Sequence, residues 1–366
     1  MKFFITIIIL LLTGVLIVNA DENIEKVEKK QLKIEVSNTK ELLEAIDKMP
    51  SDGGCITIIP GEYIIEEAVI IKNISNLVIT GSGWNTKIIK KGDGDAFVFD
   101  GNCWSNVIKD LSIEGDKEAT KGSGIVFQNG EWSGICMIDY CFIKNFPESG
   151  IKFAGNEKTP FSSNTVSRCW LIENKGYQIY SFANNDFYFI QNQIGTGGEN
   201  PIAGCILKNS SAGTYSMNYH WGNTVGLVVG DGSSYNRIEN NRFEESRQVG
   251  LQIGEKESDT GTYFTIVTGN TIHTNSENSY GEFNAVEGFN SHSTIFSQNQ
   301  VFSWWSQGQA TRNGLVLDDG CTEWIIKDNH FYHHTEKPII TNSNGKHIIK
   351  DNIFGDKLPN KPMVEK

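Results

Sequence analysis

Nowhere in this 366-residue chain are two cysteines separated by only two residues, although seven cysteines occur. The absence of that spacing excludes the zinc-binding and thioredoxin-like motifs that depend on it. Because the number is odd, at least one thiol is unpaired or bonded to another chain. Cys169 and Cys205 fall on positions predicted to point inward, as buried structural thiols. A disulfide among Cys103, Cys136 and Cys141 is left open.

Long apolar runs are absent too, except at the N-terminus. Lys2 precedes the almost unbroken apolar stretch Phe3–Val18, which ends at Asn19 and Ala20. This order predicts that residues 1–20 are a cleavable signal peptide, so the protein is expected to be secreted, extracellular or on the cell surface. The alternative is an uncleaved anchor, for which the run is slightly short. No membrane association is expected after cleavage.

Positive charge is scarce. The chain has 32 Lys and Arg against 44 Asp and Glu, a formal net charge of −12. Such a chain repels nucleic-acid phosphates and anionic lipid, so neither is an expected partner. A neutral or cationic ligand fits better, although a local basic patch could still hold an anionic polymer.

Helical periodicity is missing after residue 50. Before it, residues 21–37 are predicted to be a charged leader. Thr39, Leu43, Ile46 and Met49 then follow the spacing of a capped amphipathic helix, which Ser51–Gly54 ends. A helix in front of a run of strands predicts a lid over the open end of a stack.

What the sequence does have is an internal repeat of mostly 22 to 29 residues. One repeated phrase is a glycine followed by apolar residues at alternating positions, and the other is an asparagine followed two residues later by an apolar residue. The glycines of the first phrase are Gly124, Gly150, Gly176, Gly204, Gly226, Gly250 and Gly314. The asparagines of the second are Asn192, Asn241, Asn270, Asn299, Asn329 and Asn352.

This repeat is too short for a βαβ unit and fits a coil of three short strands and three turns. Stacked coils place equivalent residues about 4.8 Å apart. The asparagines are then expected to occupy turns, where they tolerate left-handed backbone angles and bond the amide of the next coil. A propeller blade needs more residues, and a sandwich gives no reason to repeat one asparagine. The sequence therefore predicts an all-β, right-handed parallel β-helix over residues 38–356, with a tail at 357–366.

Two segments resemble the pectate-lyase-like superfamily. Gly53–Tyr63 reads Gly-Gly-Cys-Ile-Thr-Ile-Ile-Pro-Gly-Glu-Tyr, which is similar to its opening strand after a helical cap. Asn76–Gly83 is similar to the Leu-x-Ile-x-Gly-x-Gly of its next coil. The resemblance covers about residues 35–355 and implies a β-helix that handles carbohydrate. It assigns no individual family, since polygalacturonase signatures (Asn-Thr-Asp, Gly-His-Gly, Arg-Ile-Lys) and the Asp-Pro-His-Glu of alginate epimerases are missing. Families of this superfamily often form trimers, so the resemblance leaves a homotrimer as one option for the oligomeric state.

Aromatic residues in irregular segments are the candidate sugar platforms, because the C–H faces of sugars stack on aromatic rings. The predicted substrate-binding aromatics are Tyr219, Trp221, Trp304 and Trp305. The alternative for each is packing against the outside of the coils. A straight stack suits a long polymer, so a polysaccharide or oligosaccharide is the expected partner.

Glycoside hydrolysis needs two carboxyl groups, one protonated and one ionised. Asp231 and Glu255 each lie five residues after a repeat glycine, on neighbouring coils, close enough to couple. Asp318 and Asp319 lie two coils further on, roughly 10 Å away, near the separation of an inverting pair. The alternative for each acid is a solvated turn residue.

A lyase would instead need a base beside a cation that stabilises an enolate. Lys208, Arg247 and Arg312 are predicted to point outward and to contact substrate, and His220 is a candidate base. No metal site and no cofactor are predicted. Calcium is an option for a lyase, but Asp93–Asp95 lacks the rest of a calcium loop and predicts a plain turn.

These residues favour a secreted enzyme that cleaves glycosidic bonds in a polymer lying along the stack, with hydrolysis slightly ahead of elimination. The alternative is a non-catalytic surface protein that binds glycans or mediates adhesion. Only the enzyme requires two carboxyl groups, or a base and a cation, to converge on one linkage.

Overall fold

The computed structural model describes residues 31–196, 201–303, 309–342 and 344–355. The predicted signal peptide, most of the predicted leader and the predicted tail lie outside these residues. Within them, three long parallel sheets wind around one apolar core, with the twelve strands of sheet B marking about twelve coils. The prediction of a right-handed parallel β-helix is confirmed.

Sheets A, B and C follow one another along the coils, and every strand except the first and last of each sheet pairs with its equivalents one coil before and after. Sheet A contains Leu32–Val36, Gly54–Ile58, Leu77–Thr80, Val107–Lys109, Met137–Asp139, Thr165–Ser167, Tyr188–Ile190, Thr214–Ser216, Arg237–Glu239, Ile266–Thr268, Ile295–Ser297, Ile325–Lys327 and Ile348–Lys350. Sheet B contains Gly61–Ile65, Thr86–Lys90, Ser112–Glu114, Phe142–Lys144, Trp170–Ile172, Gln193–Gly195, Tyr219–Trp221, Arg242–Glu244, Thr271–His273, Gln300–Phe302, His330–Tyr332 and Ile353–Gly355. Sheet C contains Val69–Lys72, Phe97–Asp100, Ile125–Gln128, Ser149–Ala154, Tyr177–Phe182, Ala203–Lys208, Val225–Val229, Val249–Ile253, Val286–Gly288, Leu315–Leu317 and Ile339–Ile340.

Two short pairs of parallel strands extend the corners between sheets C and A. They are Phe161–Ser162 with Asn184–Asn185, and Thr262–Tyr263 with Ser291–His292.

The first strand, Leu32–Val36, lies inside the segment predicted as a leader. It pairs in parallel with Gly54–Ile58, so the β-helix begins at residue 32 and not at 38. The many charges of this segment hid the strand, because at this end of the stack only Val36 among its residues is buried.

The predicted helix is present as α1, Thr39–Asp47. Its N-cap is Asn38 and not Thr39, since the Asn38 side chain accepts the backbone N–H of Glu41 at 3.0 Å. The buried face is Leu42, Ala45 and Ile46, while Leu43 is exposed. Among the described residues, no helix is long and apolar enough to cross a membrane.

The core is built largely from columns of equivalent side chains. On sheet C, Phe99, Phe127 and Phe153 stack in register with ring centroids 4.5 and 5.1 Å apart. Phe189 of sheet A continues this stack across the interior, 5.7 Å from Phe153. Each coil alone is too small to bury such rings, so the coils stabilise one another.

The repeated asparagines form one continuous ladder at the corner between sheets A and B. Asn241 Nδ2 donates to Asn270 Oδ1 at 3.0 Å, and Asn270 repeats this bond to Asn299 at 3.0 Å. The prediction that the asparagines themselves take left-handed angles is wrong. The residue before each of them does so, as at Asn240 and Gln298, both with φ of 56°. The full ladder is Asn192, Asn218, Asn241, Asn270, Asn299, Asn329 and Asn352.

All seven cysteines belong to the described residues, and all are free. Cys169 and Cys205 are fully buried, which confirms the inward positions predicted for them. Burial raises the pKa of the Cys205 thiol well above its ordinary value, as expected for an unreactive structural thiol.

Candidate functional site

The outer face of sheet C carries a straight column of side chains, called here the sheet-C face. Strand pairing places its members one coil apart, because outward residues of neighbouring strands are in register. The column runs Lys152, Tyr180, Ile206, Val228, Gln252 and Glu287. It passes from a cation and an aromatic ring, through two aliphatic side chains, to an amide and a carboxyl group.

A pocket of about 500 Å³ opens at the Lys152 end of this face. Tyr177, Tyr180 and Phe182 contribute its aromatic surface, and Ile202 lines it as well. The rings of Tyr177 and Tyr180 lie 5.4 Å apart. An apolar pocket with a few polar groups on a straight face suits the C–H surface of a sugar ring.

The next coils bring three predicted site residues together. Lys208 is one coil from Phe182 in register, and its ammonium nitrogen lies 3.0 Å from Oε1 of Glu255. The other oxygen of Glu255, Oε2, accepts the backbone N–H of Asp231 at 3.1 Å. Gly230 leaves room for this carboxylate, since a Cβ there would lie 2.7 Å from Oε2. The predicted proximity of Asp231 and Glu255 is confirmed.

The environment of Asp231 disfavours its ionised form. Burial raises the pKa of Asp231; a hydrogen bond with Ser258 opposes the rise, and the charge of Glu255 adds to it. Its Oδ1 is buried and has no hydrogen-bond partner. In Lys208, burial disfavours the charged ammonium, but the bond to Glu255 outweighs this and raises the pKa.

Glu287 is a further carboxyl group on the sheet-C face, and the sequence analysis missed it. Burial raises the pKa of Glu287, against a hydrogen bond from Asn284 Nδ2 at 2.7 Å. The sequence pattern that would have revealed this strand is weak, because the coil lacks the repeated glycine phrase and reads Asn-Ala-Val-Glu-Gly. Its strand, Val286–Gly288, nevertheless pairs in register with Val249–Ile253.

Asp318 and Asp319 follow sheet-C strand Leu315–Leu317 at the same border as Glu255, two coils further on. Oδ1 of Asp318 caps the turn, accepting the N–H groups of Asn290 at 3.3 Å and Gly320 at 3.1 Å. Asp319 is exposed.

Tyr219 and Trp221 lie on the outer face of sheet B, away from Lys208 and Glu255. Trp221 packs on Gly195, where a Cβ would lie 2.3 Å from the indole. The Tyr219 hydroxyl donates to Glu244 at 2.6 Å; burial, then Glu244, raises the pKa of Tyr219 to about 12. Arg242 stacks over the Tyr219 ring at 4.9 Å. These two aromatics therefore belong to a packed sheet-B cluster.

The candidate base His220 is inside the coil, so the prediction that it acts on substrate is wrong. It is fully buried, and its Nε2 lies 2.5 Å from the hydroxyl oxygen of Tyr215. Burial lowers the pKa of His220 to about 3. It fills the inward position between Ile194 and Phe243, and a polymer on the outside cannot reach it.

The two predicted arginines border sheet C on the side opposite Lys208, where the chain enters the strands. Arg247 donates to the carbonyl of Gly222 at 3.1 Å, and Arg312 Nε lies 2.9 Å from a carboxylate oxygen of Glu336. Both arginines therefore brace turns. Trp304 and Trp305 lie outside the described residues.

The Asp93–Asp95 turn forms hydrogen bonds to the equivalent turn of the next coil. Asp93 accepts the N–H of Thr120 at 2.7 Å, and Asp95 accepts the N–H of Ser123 at 2.7 Å. In the described part of the chain, no group of three or more His, Cys, Asp or Glu side chains is placed to hold a metal ion.

Comparison with known proteins agrees with this architecture. A family model described as right handed beta helix region matches residues 123–303. The chain thus has the fold of a right-handed parallel β-helix, without assignment to an individual family. No curated protein sequence matches it.

Three solved structures show what the fold is similar to. The A-module of a mannuronan C-5 epimerase from Azotobacter vinelandii has a TM-score of 0.72 at 15% identity, covering 88% of this chain and 96% of that one. A mutant tailspike protein of E. coli bacteriophage HK620, in complex with pentasaccharide, has a TM-score of 0.67 at 14% identity, covering 87% and 63%. The tailspike gp49 of Acinetobacter baumannii bacteriophage Fri1, a capsular polysaccharide depolymerase, has a TM-score of 0.61 at 14% identity, covering 90% and 64%.

Proposed function

We propose that this protein is a secreted glycoside hydrolase that binds a polysaccharide along the sheet-C face and cleaves it beside Asp231. One observation carries the proposal: a carboxyl group with a raised pKa stands against a second carboxylate, next to an aromatic pocket on a straight face. Perturbed carboxyl groups in a cleft are the property that acid–base catalysis needs.

Binding starts at the pocket. A sugar unit stacks on Tyr177 and Tyr180, and the next units of the polymer follow the column of outward positions towards Gln252. Because the coils repeat about every 4.8 Å, a straight polymer meets equivalent positions coil after coil. This places a glycosidic linkage over the border where Asp231 lies.

Asp231 serves as the general acid in this mechanism. Its raised pKa keeps the proton available for donation to the leaving glycosidic oxygen. Glu255 is a positioning residue: one of its oxygens is held by Lys208, and the other binds the Asp231 backbone. Its charge favours the protonated form of Asp231.

Asp318 and Asp319 do not serve as the second carboxylate for Asp231. They lie two coils from Glu255 but three coils from Asp231, so about 14 Å separates them from Asp231 along the stack. This is wider than the roughly 6.5–9.5 Å of an inverting pair. In addition, turn N–H groups occupy Oδ1 of Asp318. The carboxylate beside the proposed acid is therefore Glu255.

Elimination and epimerisation fit the face less well. Both need a cation that is free to neutralise a uronate, whereas Lys152 and Lys208 are paired with Glu148 at 3.1 Å and Glu255 at 3.0 Å. The chain also lacks the Asp-Pro-His-Glu sequence of alginate epimerases. The capsular polysaccharide depolymerase among the similar structures supports a cleaving function on this fold.

Secretion through residues 1–20 belongs to the same proposal, as does a homotrimer. The chain spans 63% and 64% of the two tailspikes, so their binding and cleavage come to this protein only as proposals.

The test is a panel of polysaccharides incubated with the mature protein, with reducing ends and the ultraviolet absorbance of unsaturated uronate ends both measured. New reducing ends without that absorbance support hydrolysis. Unsaturated products would identify a lyase. Binding without any new chain end would identify a non-catalytic glycan-binding protein.

A further inference from the structure

We infer that the sheet-C face is built for an uncharged polysaccharide and rejects polyuronates and other anionic polymers. This names the substrate class of the proposed function and rests on its choice of binding face.

The three lysines on the described strands of sheet C are neutralised by the protein itself. They lie three and two coils apart along the stack, and each has a carboxylate partner, so none offers a free charge to an acidic sugar. The pairs are Lys72–Asp100 at 3.9 Å, Lys152–Glu148 at 3.1 Å and Lys208–Glu255 at 3.0 Å.

Acids are in excess over cations at the same face. Asp231 carries a buried Oδ1 that no donor contacts, and Glu287 is bonded by the neutral amide of Asn284. Asp95 accepts only a backbone N–H, from Ser123, among its hydrogen bonds in the described residues. Lys256, in the turn after Glu255, acts on the charge of Glu287. A sugar carboxylate placed among these groups would meet like charge at those that are ionised, while Asp231, protonated as the proposed general acid, supplies no compensating cation.

The centre of the floor is apolar as well. Ile206 and Val228 point outward, yet each is only 6% exposed, in a small cluster with Ala203. Side chains so little exposed contribute almost no accessible surface, and the partly buried Tyr177 and Tyr180 pack against them. The surface that a sugar can meet here is therefore mainly aromatic, which matches the C–H faces of neutral sugars.

Affinity electrophoresis of the mature protein tests the inference. The gels contain either uncharged polymers (dextran, galactomannan, xyloglucan, arabinan) or polyuronates (alginate, polygalacturonate), at low and high salt. Retardation by at least one uncharged polymer, unaffected by salt, and none by the polyuronates is the expected result. Retardation by a polyuronate at low salt, or by no uncharged polymer, would overturn the inference.

A matched pair of variants tests the electrostatic cause. Gln252→Lys adds a positive charge to the floor of the sheet-C face, while Gln300→Lys makes the same change at an exposed outward position of sheet B. At low salt we expect Gln252→Lys to gain about fivefold in polyuronate binding over Gln300→Lys, and to lose the gain at high salt. Equal polyuronate binding by the two variants would contradict the electrostatic exclusion.

This outcome is separate from that of the proposed function. A protein that binds uncharged polymers without cutting any of them fails as an enzyme but keeps this substrate class. A protein that hydrolyses a polyuronate is an enzyme for which the substrate class inferred here is wrong.

Discussion

Lys208 and Glu255 form an ion pair of 3.0 Å at the exit of sheet C, and the pair holds Glu255 against the backbone of Asp231. Neither partner is more than about a third exposed in its side chain. Lys208 and Glu255 lie on the coils before and after the one that carries Asp231, so the stacking of coils creates the pair.

The first prediction concerns the acid. Asp231→Asn should lower kcat by two to four orders of magnitude, since general acid catalysis contributes about that much. Substrate binding in the same variant, measured by affinity electrophoresis, should persist because the aromatic pocket is intact. Loss of binding together with activity would indicate that Asp231 only supports the fold of the groove.

The second prediction concerns pH. Burial, with Glu255 adding to it, raises the pKa of Asp231, so the basic limb of the kcat/KM profile should lie above the ordinary range of an aspartic acid. Glu255→Gln removes a negative charge, which lowers the Asp231 pKa and should move that limb to lower pH. A limb that stays in place in this variant would contradict the role given to Glu255.

The third prediction concerns the platform. Tyr180→Ala should raise KM three- to tenfold with a smaller change in kcat, because the aromatic contact is worth about 0.5–1.5 kcal/mol. Tyr188→Ala is the matched control: Tyr188 is 50% exposed on sheet A, away from the face. Equal effects of the two substitutions on KM would remove Tyr180 from the binding site.

The fourth prediction concerns the asparagine ladder. Asn299 exchanges four hydrogen bonds of 3.0–3.1 Å with Asn270, Asn329 and the carbonyl of Val267. Asn299→Ala leaves their buried partners unsatisfied and should lower the free energy of unfolding by about 3 kcal/mol or more. Gln300→Ala, one residue away and exposed, should change it by about 0.5 kcal/mol or less in the same denaturant titration. A loss below 1 kcal/mol for Asn299→Ala would show that the ladder is dispensable.

The fifth prediction concerns the buried Tyr215–His220 pair. Burial lowers the pKa of His220 to about 3, so the unfolded chain takes up a proton near the ordinary value of about 6.5 while the folded chain does not. This group's contribution to stability is therefore complete above that value and falls as the pH drops from about 6.5 towards 3. Replacing both residues by phenylalanine should leave stability at pH 7 within about 1 kcal/mol and reduce the loss at pH 5.

Thermal unfolding at both pH values measures the effect. Hydrolytic activity should be retained in the double variant, since His220 lies inside the coil. A fall in kcat without a fall in stability would restore His220 to the catalytic site.

The fold could be predicted from the sequence because its repeated turns and strands depend on local chemistry. Alternating apolar residues after Gly150 or Gly250, and an asparagine once per coil, report the period directly because every coil must satisfy the same turn and the same core. The repeat pattern missed Asn218 because the inward residue two positions later is His220, which is polar and not apolar. Only the hydroxyl of Tyr215, across the interior, explains how a histidine occupies that position.

For the candidate site, the sequence by itself determined which strand ends carry acids, since counting from Gly226 and Gly250 places Asp231 and Glu255 at one border on neighbouring coils. Only the tertiary structure decided which face each residue belongs to. It separated Tyr219 and Trp221 on sheet B from Lys208 on sheet C, and it added Glu287. There are two physical reasons. A shift of one residue at a corner moves a side chain from one face of the coil to another, so the face cannot be counted from the sequence. Ion pairs such as Lys208–Glu255 form between residues of different coils, which no sequence spacing reveals.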